Sequence, residues 1–274
     1  MLFEKKNCPE CGSRYDVVEP TCPTCGKRDE NFEQYKIPSN LLWLPIYKQI
    51  LLFVIGLVGL NVVGFIVEIF AIFMPEGTFS EAGYTTLVNT VRYVIVFIGM
   101  LALIWKDFPK FRRFFNRAKP YLLGLAGGAA ILAANILLNL ITQAIYPTPE
   151  NTNQQTVDSV ITAFPIISIF VIGLIGPAVE ELTYRLGLYT FLRRINKPVA
   201  YIITSIIFGL IHFDFFAGSA TGYIIELVNL PTYIVVGFLF CLWYEKFGLA
   251  SSIVAHQFNN LFSILMTVIS NFVK

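Results

Sequence analysis

Apolar positions gather into seven long stretches, at residues 47–74, 84–105, 121–145, 161–179, 199–216, 222–244 and 249–270, separated by short polar runs. A helix needs about 20 apolar residues to cross the hydrocarbon of a bilayer, and it satisfies its own backbone polar groups while doing so. Each stretch is therefore expected to be a membrane-crossing helix, with the fifth at the short limit. A shorter apolar run at 41–45 is expected at the membrane interface. Composition sharpens this picture: the chain of 274 residues is 55% hydrophobic and 14% charged, with a mean hydropathy of +0.65, which excludes a soluble globular fold. The expected fold class is an all-α polytopic membrane protein of about seven transmembrane helices, carrying a small N-terminal module. Three parts are expected: that module at 1–30, a linker and interfacial segment at 31–46, and a helical transmembrane domain at 47–274.

The net charge of +2 says little, but its distribution gives an orientation. Residues 106–119 hold six Lys or Arg and one acid, and Arg193, Arg194 and Lys197 mark a second basic loop, whereas loops 75–83 and 147–159 hold no base and two acids each. Basic loops stay in the cytoplasm, which places the N-terminus there too, in a bacterial plasma membrane. Phe108, Phe111, Phe114 and Phe115 within the first basic loop are expected to rest on anionic lipid.

The N-terminal 30 residues are different in kind. Cys8, Cys11, Cys22 and Cys25 form two Cys-X-X-Cys knuckles, each closed by a glycine, a spacing that converges four thiolates on one tetrahedral zinc. A segment this short cannot bury a core of its own, so bound metal supplies most of its folding free energy. The expected module is a zinc ribbon with a structural ion. Cys241, inside an apolar stretch, is expected to be packing.

Ionisable groups at membrane depth cost several kcal/mol unless they face a partner or a wet cavity, so they mark candidate sites. Glu180 and Glu181 lie at the end of the fourth stretch. Arg185 is one helical turn after Glu181 and can pair with it, while Glu180, about 100° round the helix, points elsewhere. His212 and Glu180 are each sixteen residues from Asn196, so a hairpin turning there brings them to equal depth. His256 and Asn260 share one face of the last stretch and reach the same layer. Pro177 is expected to kink the fourth helix and free backbone carbonyls near the glutamates. Glu68 and Arg92 are expected to compensate each other, Glu226 to snorkel, and Gly124, Gly127 and Gly128, with Ala126, Ala129 and Ala130, to give the third stretch a small packing face.

Glu-Glu-Leu-Thr-Tyr-Arg from Glu180, Phe-Gly-Leu-Ile-His from Phe208 and His-Gln-Phe-Asn-Asn from His256 resemble, in order, the EExxxR, FxxxH and HxxxN motifs of an intramembrane endopeptidase family. That family, named CPBP or Abi, groups the type II CAAX prenyl proteases with bacterial bacteriocin-processing and self-immunity proteins. The resemblance covers residues 161–274 and implies a protease whose catalytic set is Glu180, Glu181, Arg185, His212, His256 and Asn260. Peptide hydrolysis by activated water fits these groups, with Glu180 as general base, His212 sharing the water, and His256 and Asn260 donating to the oxyanion. Whether a metal also sits among them stays open at this point. The implied partners are a peptide or membrane-protein substrate, the lipid bilayer and a cytoplasmic protein for the ribbon, with no nucleic acid. The competing reading is a non-proteolytic membrane partner of a sensor kinase or transporter.

Overall fold

The structure, a computed structural model, describes residues 4–32, 37–75, 77–147 and 151–273. The middle of the linker at 33–36, Glu76 and Glu150 of the acidic loops, and Lys274 lie outside the described residues. Two short strands open the chain, β1 (Lys5–Asn7) and β2 (Arg14–Asp16), paired antiparallel with Lys6 opposite Tyr15. Nine helices follow among the described residues: α1 (Ile46–Ile72), α2 (Glu81–Ile104), α3 (Phe108–Phe115), α4 (Ala118–Ile145), α5 (Thr152–Ala163), α6 (Pro165–Arg193), α7 (Lys197–Leu210), α8 (Ala220–Phe247) and α9 (Leu249–Val273). Six of these are long and apolar enough to cross a membrane, and α7 is a shorter apolar helix. The protein is an all-α polytopic membrane protein in which one of the seven expected spans stops short.

Two boundaries depart from the apolar pattern. The fourth stretch begins earlier than it should, because Phe164 leaves helical geometry (φ −138°, ψ 63°) ahead of Pro165, which restarts the helix as its first residue. The residues upstream, read as an outer loop, form α5 instead, capped by the Asn151 side chain accepting from the Gln154 amide at 3.0 Å. At the other end, α7 stops at Leu210 rather than continuing to Phe216. The His212 ring folds back onto the Phe208 carbonyl at 2.8 Å, satisfying an acceptor that the helix end leaves over.

Close packing of α4 on α8 and α9 is carried by its glycines, with Ile131 buried beside Phe240 and Ala255. A β-carbon at Gly127 would meet the Trp243 ring at 2.2 Å, and one at Gly128 the Phe258 side chain at 2.7 Å. Ala126, Ala129 and Ala130 are exposed, since at about 100° per residue they fall on the far side of the helix.

The largest apolar core lies where the N-terminal module meets the helices. Val17 and Val18 pack there with Leu41, Leu42, Trp43 and Leu44, so the run expected at the lipid interface is buried in protein. Phe111, Phe114 and Phe115 of α3 pack against the same core, which turns most of that aromatic face away from lipid, and Phe108 is left exposed. Arg194 pins the junction: buried itself, it lies 3.1 Å from Asp16 of the module, donates to the Leu44 carbonyl at 2.9 Å and to Gln49 at 3.0 Å. Lys110 adds a 2.7 Å pair with Glu19. The module, α3 and the turn after α6 therefore share one side of the bundle, in keeping with the alternation of basic and acidic loops.

Candidate active site and cysteine cluster

Two stretches of α6 are loosely wound, Ile169–Ile175 and Glu181–Tyr189, with hydrogen bonds between residues i and i+5; Glu180 ends the regular turn between them and Glu181 opens the second. Glu181 is fully buried and fully partnered. Arg185 lies 3.2 Å from its Oε1, His256 Nδ1 lies 3.0 Å from the same oxygen, and the Ser252 hydroxyl donates to Oε2. Arg185, also buried, has Phe208 and Phe240 against its guanidinium at 4.5 and 5.2 Å and donates to the Gly237 carbonyl at 3.3 Å. A buried ion pair holds only when such extra donors and acceptors complete it. The one-turn pairing expected from sequence is thus present, and Ser252 and His256 close it.

Glu180 points the other way, as its offset on the helix dictates. Its Oε1 is 3.5 Å from the Tyr93 hydroxyl, and its Oε2 is 3.7 Å from His256 Nε2 with no hydrogen-bond partner among the described residues. His256 therefore spans the two acids. A carboxylate paired with arginine only accepts, so Nδ1 carries its proton toward Glu181 and Nε2 faces Glu180. His212 is fixed in the same sense: the Phe208 carbonyl accepts from Nδ1, and the ring stacks on Tyr233 with centroids 4.5 Å apart, leaving Nε2 as the free nitrogen. Glu180, His212, His256 and Asn260 all line one cavity of about 1020 Å³ between the helices, with Glu181 and Arg185 behind its wall.

Asn260 reaches that cavity by a route the sequence does not spell out. In the loose register of α6, Gly176 donates to the Val171 carbonyl, and the next donor in line is Pro177, which has no N–H. The Ile172 carbonyl is left over, and Asn260 Nδ2 supplies the missing donor at 2.9 Å; Gln257 does the same for Leu174 at 3.1 Å. The carbonyls expected to open near Pro177 are thus taken by α9. Asn260→Ala is expected to destabilise the protein by about 1–3 kcal/mol, because it strands a buried acceptor, and to slow turnover by about a hundred-fold if its second N–H meets an oxyanion. Thermal unfolding and initial rates measured on the same preparation check both.

Sequence reasoning missed Tyr93 and Tyr233, which no spacing marks, and Ser252, whose position one turn before His256 was the available signal. Glu226 does not snorkel. It is buried and accepts the backbone amides of Thr152 at 3.0 Å and Asp214 at 3.2 Å, tying the start of α5 to the loop after His212, where a helix N-terminus favours negative charge. Glu68 and Arg92 line the same cavity without an ion pair between them among the described residues.

At the other end of the molecule, the Sγ atoms of Cys8 and Cys25 are 3.5 Å apart and those of Cys11 and Cys22 3.7 Å, and all four ligand atoms lie within 4.8 Å of one another. Sulfurs about 2.3 Å from a zinc at tetrahedral angles are about 3.8 Å apart, so the set fits a metal ion such as zinc. Gly12 and Gly26 adopt positive φ (71° and 75°), which lets their amides reach the Cys8 and Cys22 carbonyls, both at 2.9 Å. The Ser13 hydroxyl beside Cys22 holds that thiol down to about 5, favouring the thiolate a metal needs. Among the described residues this is the one group of three or more potential ligands whose donor atoms converge.

Residues 162–262, which contain all six candidate catalytic side chains, match the family described as type II CAAX prenyl endopeptidase Rce1-like. An uncharacterized protein of Mycoplasma capricolum is 28% identical over 204 residues, covering 70% of this chain and 57% of its own. A Bacillus subtilis protein named "Putative membrane peptidase YdiL" is 31% identical over 119 residues, 43% of each chain. The chain thus spans about half the length of these relatives. No solved structure matches it.

Proposed function

We propose, from the Rce1-like character of residues 162–262, that this membrane protein is an intramembrane endopeptidase in which Glu180 activates water for attack on a peptide carbonyl. The observation that carries the reading is the Glu180 carboxylate itself: the residue lines the cavity, and its Oε2 has no hydrogen-bond partner among the described residues and faces an oriented histidine nitrogen. A scaffold has no use for a desolvated acid at membrane depth that leaves one oxygen without a hydrogen-bond donor among the described residues.

In the proposed step a water between Glu180 and His212 loses a proton to Glu180 as its oxygen attacks the carbonyl. The His212 Nε2 accepts the water's other hydrogen and orients it. Asn260, on the α9 wall, donates its second N–H to the tetrahedral oxyanion, His256 joins it when Nε2 is protonated as well as Nδ1, and Glu180 returns its proton to the leaving amine. Glu181 and Arg185 touch no substrate. They hold His256 and the backbone of α6 in place, and are positioning residues. A second reading, a metal held by Glu180, His212 and His256, is favoured by one observation: both histidines present Nε2 with Nδ1 committed to an acceptor, a ligand-like arrangement. The glutamate reading is preferred because these donor atoms do not converge as the cysteines do.

The N-terminal module is proposed to be a structural zinc ribbon over residues 1–30, on the cytoplasmic side of the plasma membrane, with the linker at 31–46 and the transmembrane domain at 47–274. A peptide or membrane-protein segment is the proposed substrate. Cleavage of a membrane-embedded peptide library in proteoliposomes tests the activity. Metal analysis is expected to give about one zinc per chain, lost in a Cys8→Ser, Cys22→Ser double variant, while turnover per folded protein persists. Loss of turnover on chelation, restored by zinc in that double variant, would instead move the metal to the membrane cavity.

A further inference from the structure

The cavity that holds Glu180 is closed toward the cysteine module and open at the other end. On the module side, the lining residues nearest the helix ends, Phe240 of α8 and His256 of α9, are still seven residues from Phe247 and Leu249. The space beyond them is filled by the largest apolar core, where Met100, Leu186, Tyr189 and Tyr244 are buried and the Tyr189 hydroxyl donates to Glu245 at 2.9 Å. On the far side the lining runs out to the helix ends: Tyr84 is three residues from the start of α2, and Gln143 is two from the end of α4. Glu68, Asn139 and Gln143 are exposed along that rim.

One wall of the open half repeats a single chemistry. Asn135, Asn139 and Gln143 stand four residues apart on one face of α4, and all three line the cavity. Asn139 Nδ2 donates to Asn135 Oδ1 at 3.3 Å, which leaves Asn135 Nδ2 and Asn139 Oδ1 without partners among the described residues. Because α4 packs on α8 and α9 while α1 packs on α2 and α6, Asn61 of α1 and Asn89 of α2 line the cavity from another side. Counted from the module-side helix ends, Glu180 is about 20 Å along α6 and the three amides are about 26–38 Å along α4, so the ladder leads from just beyond the proposed base toward the opening. All of it lies outside the matched residues 162–262.

We propose that the substrate enters from the face opposite the cysteine module as an extended strand and is held by its backbone along Asn135, Asn139 and Gln143. The proposal rests on the hydrolytic reading of Glu180 and names its substrate class: a polypeptide segment arriving from the extracytoplasmic side, in the orientation proposed above, and recognised by its peptide groups. A carboxamide donates and accepts as a peptide group does, so a row of them can answer a row of peptide groups. The need is large, because each peptide group left unsatisfied at membrane depth costs several kcal/mol. The spacing also agrees. Side chains one turn apart on a helix repeat about every 6 Å, and peptide groups facing one way along an extended strand repeat about every 6.7 Å. The mismatch grows to about 1.4 Å at the far end, where the ladder has glutamine, longer than asparagine by one methylene.

Binding to the full chain carrying Glu180→Gln, in proteoliposomes, reads the ladder without turnover. A fluorescently labelled mixture of apolar dodecapeptides is expected to bind about 10- to 100-fold more tightly than the same mixture N-methylated at every residue, which cannot make the two or three hydrogen bonds to the ladder. Adding Asn135→Leu, Asn139→Leu and Gln143→Leu together should erase that preference. Asn139→Leu alone, at an exposed position, should lower it several-fold and serves if the triple variant does not fold, and Asn139→Gln, which keeps the amide, should retain it. Equal binding of the two mixtures, or a preference that survives the leucine substitutions, would overturn the proposal. The entry face is read by adding Asn139→Cys: a membrane-impermeant maleimide should label the new thiol in vesicles that enclose the module, and the peptide mixture should slow it, with peptide mapping to identify the labelled site. Labelling only in vesicles whose module faces outward would overturn the entry route. Ladder-dependent binding with no cleavage by the wild-type chain supports the ladder and sinks the hydrolytic reading alone, whereas cleavage with a KM that the leucine substitutions leave unchanged sinks the ladder alone.

Discussion

Glu180→Gln and His212→Ala are each expected to reduce turnover by about 10⁴-fold, and the double variant to be no slower than either single one. In the proposed step the groups act as a unit on one water, so removing either removes the nucleophile, and the second loss finds nothing left to remove. Glutamine at 180 keeps the shape and the Tyr93 contact but cannot take a proton. Alanine at 212 removes the nitrogen that the Phe208 carbonyl and the Tyr233 ring orient toward the cavity. Initial rates in proteoliposomes, with folded protein quantified separately, decide this. Multiplying defects in the double variant would mean that the two side chains serve different steps.

Arg185→Ala is expected to have the second largest effect and to strike folding as well as rate. It leaves Glu181 as a buried carboxylate with only Ser252 and His256 to face, a loss of about 3–5 kcal/mol for one broken partner of a buried pair. His256 then loses its fixed acceptor geometry, so the residual folded fraction should also be slow. Lysine should rescue little, because a point ammonium cannot lie between Phe208 and Phe240 while reaching both Glu181 and the Gly237 carbonyl. Thermal unfolding in detergent alongside rate per folded molecule separates the two losses. Normal stability with full loss of rate would assign Arg185 to the substrate instead.

Much of this site was legible because helical periodicity is local. The one-turn spacing of Glu181 and Arg185, the separate aim of Glu180 and the shared depth of Glu180 and His212 all follow from counting residues, and the structure brings Glu180 and His212 to one cavity with the Glu181–Arg185 pair behind its wall. The doubled cysteine knuckles were legible for the same reason, since a tight turn fixes where two thiolates point. What failed depends on partners far away in sequence. His256 reads as a mate of Asn260 on one helical face, yet its Nδ1 goes to Glu181 on another helix, and Asn260 answers a carbonyl orphaned by Pro177. Arg194 counts as a loop charge in the orientation rule, but packing buries it and makes it the bolt between the N-terminal module and α6. Glu226 reads as a residue near a helix end that can reach water, until α5, hidden in an apparent loop, brings its amides to it. Hydropathy cannot see α5 because two thirds of its twelve residues are polar.

The bolt at Arg194 lies one residue past α6, the helix that carries Glu180, so the cysteine-bearing module and the cavity are joined by continuous packing. The helices are organised around α6, and its two loose turns set which side chains face the cavity and which stand behind it.

The central claim, that a free Glu180 carboxylate makes this membrane protein a protease, is tested most directly by mass spectrometry of peptides released from membranes of cells carrying either the wild-type chain or Glu180→Gln at equal abundance. A set of peptides and trimmed membrane proteins present with the wild type and missing with the variant is the predicted result; identical peptide profiles from the two would contradict it.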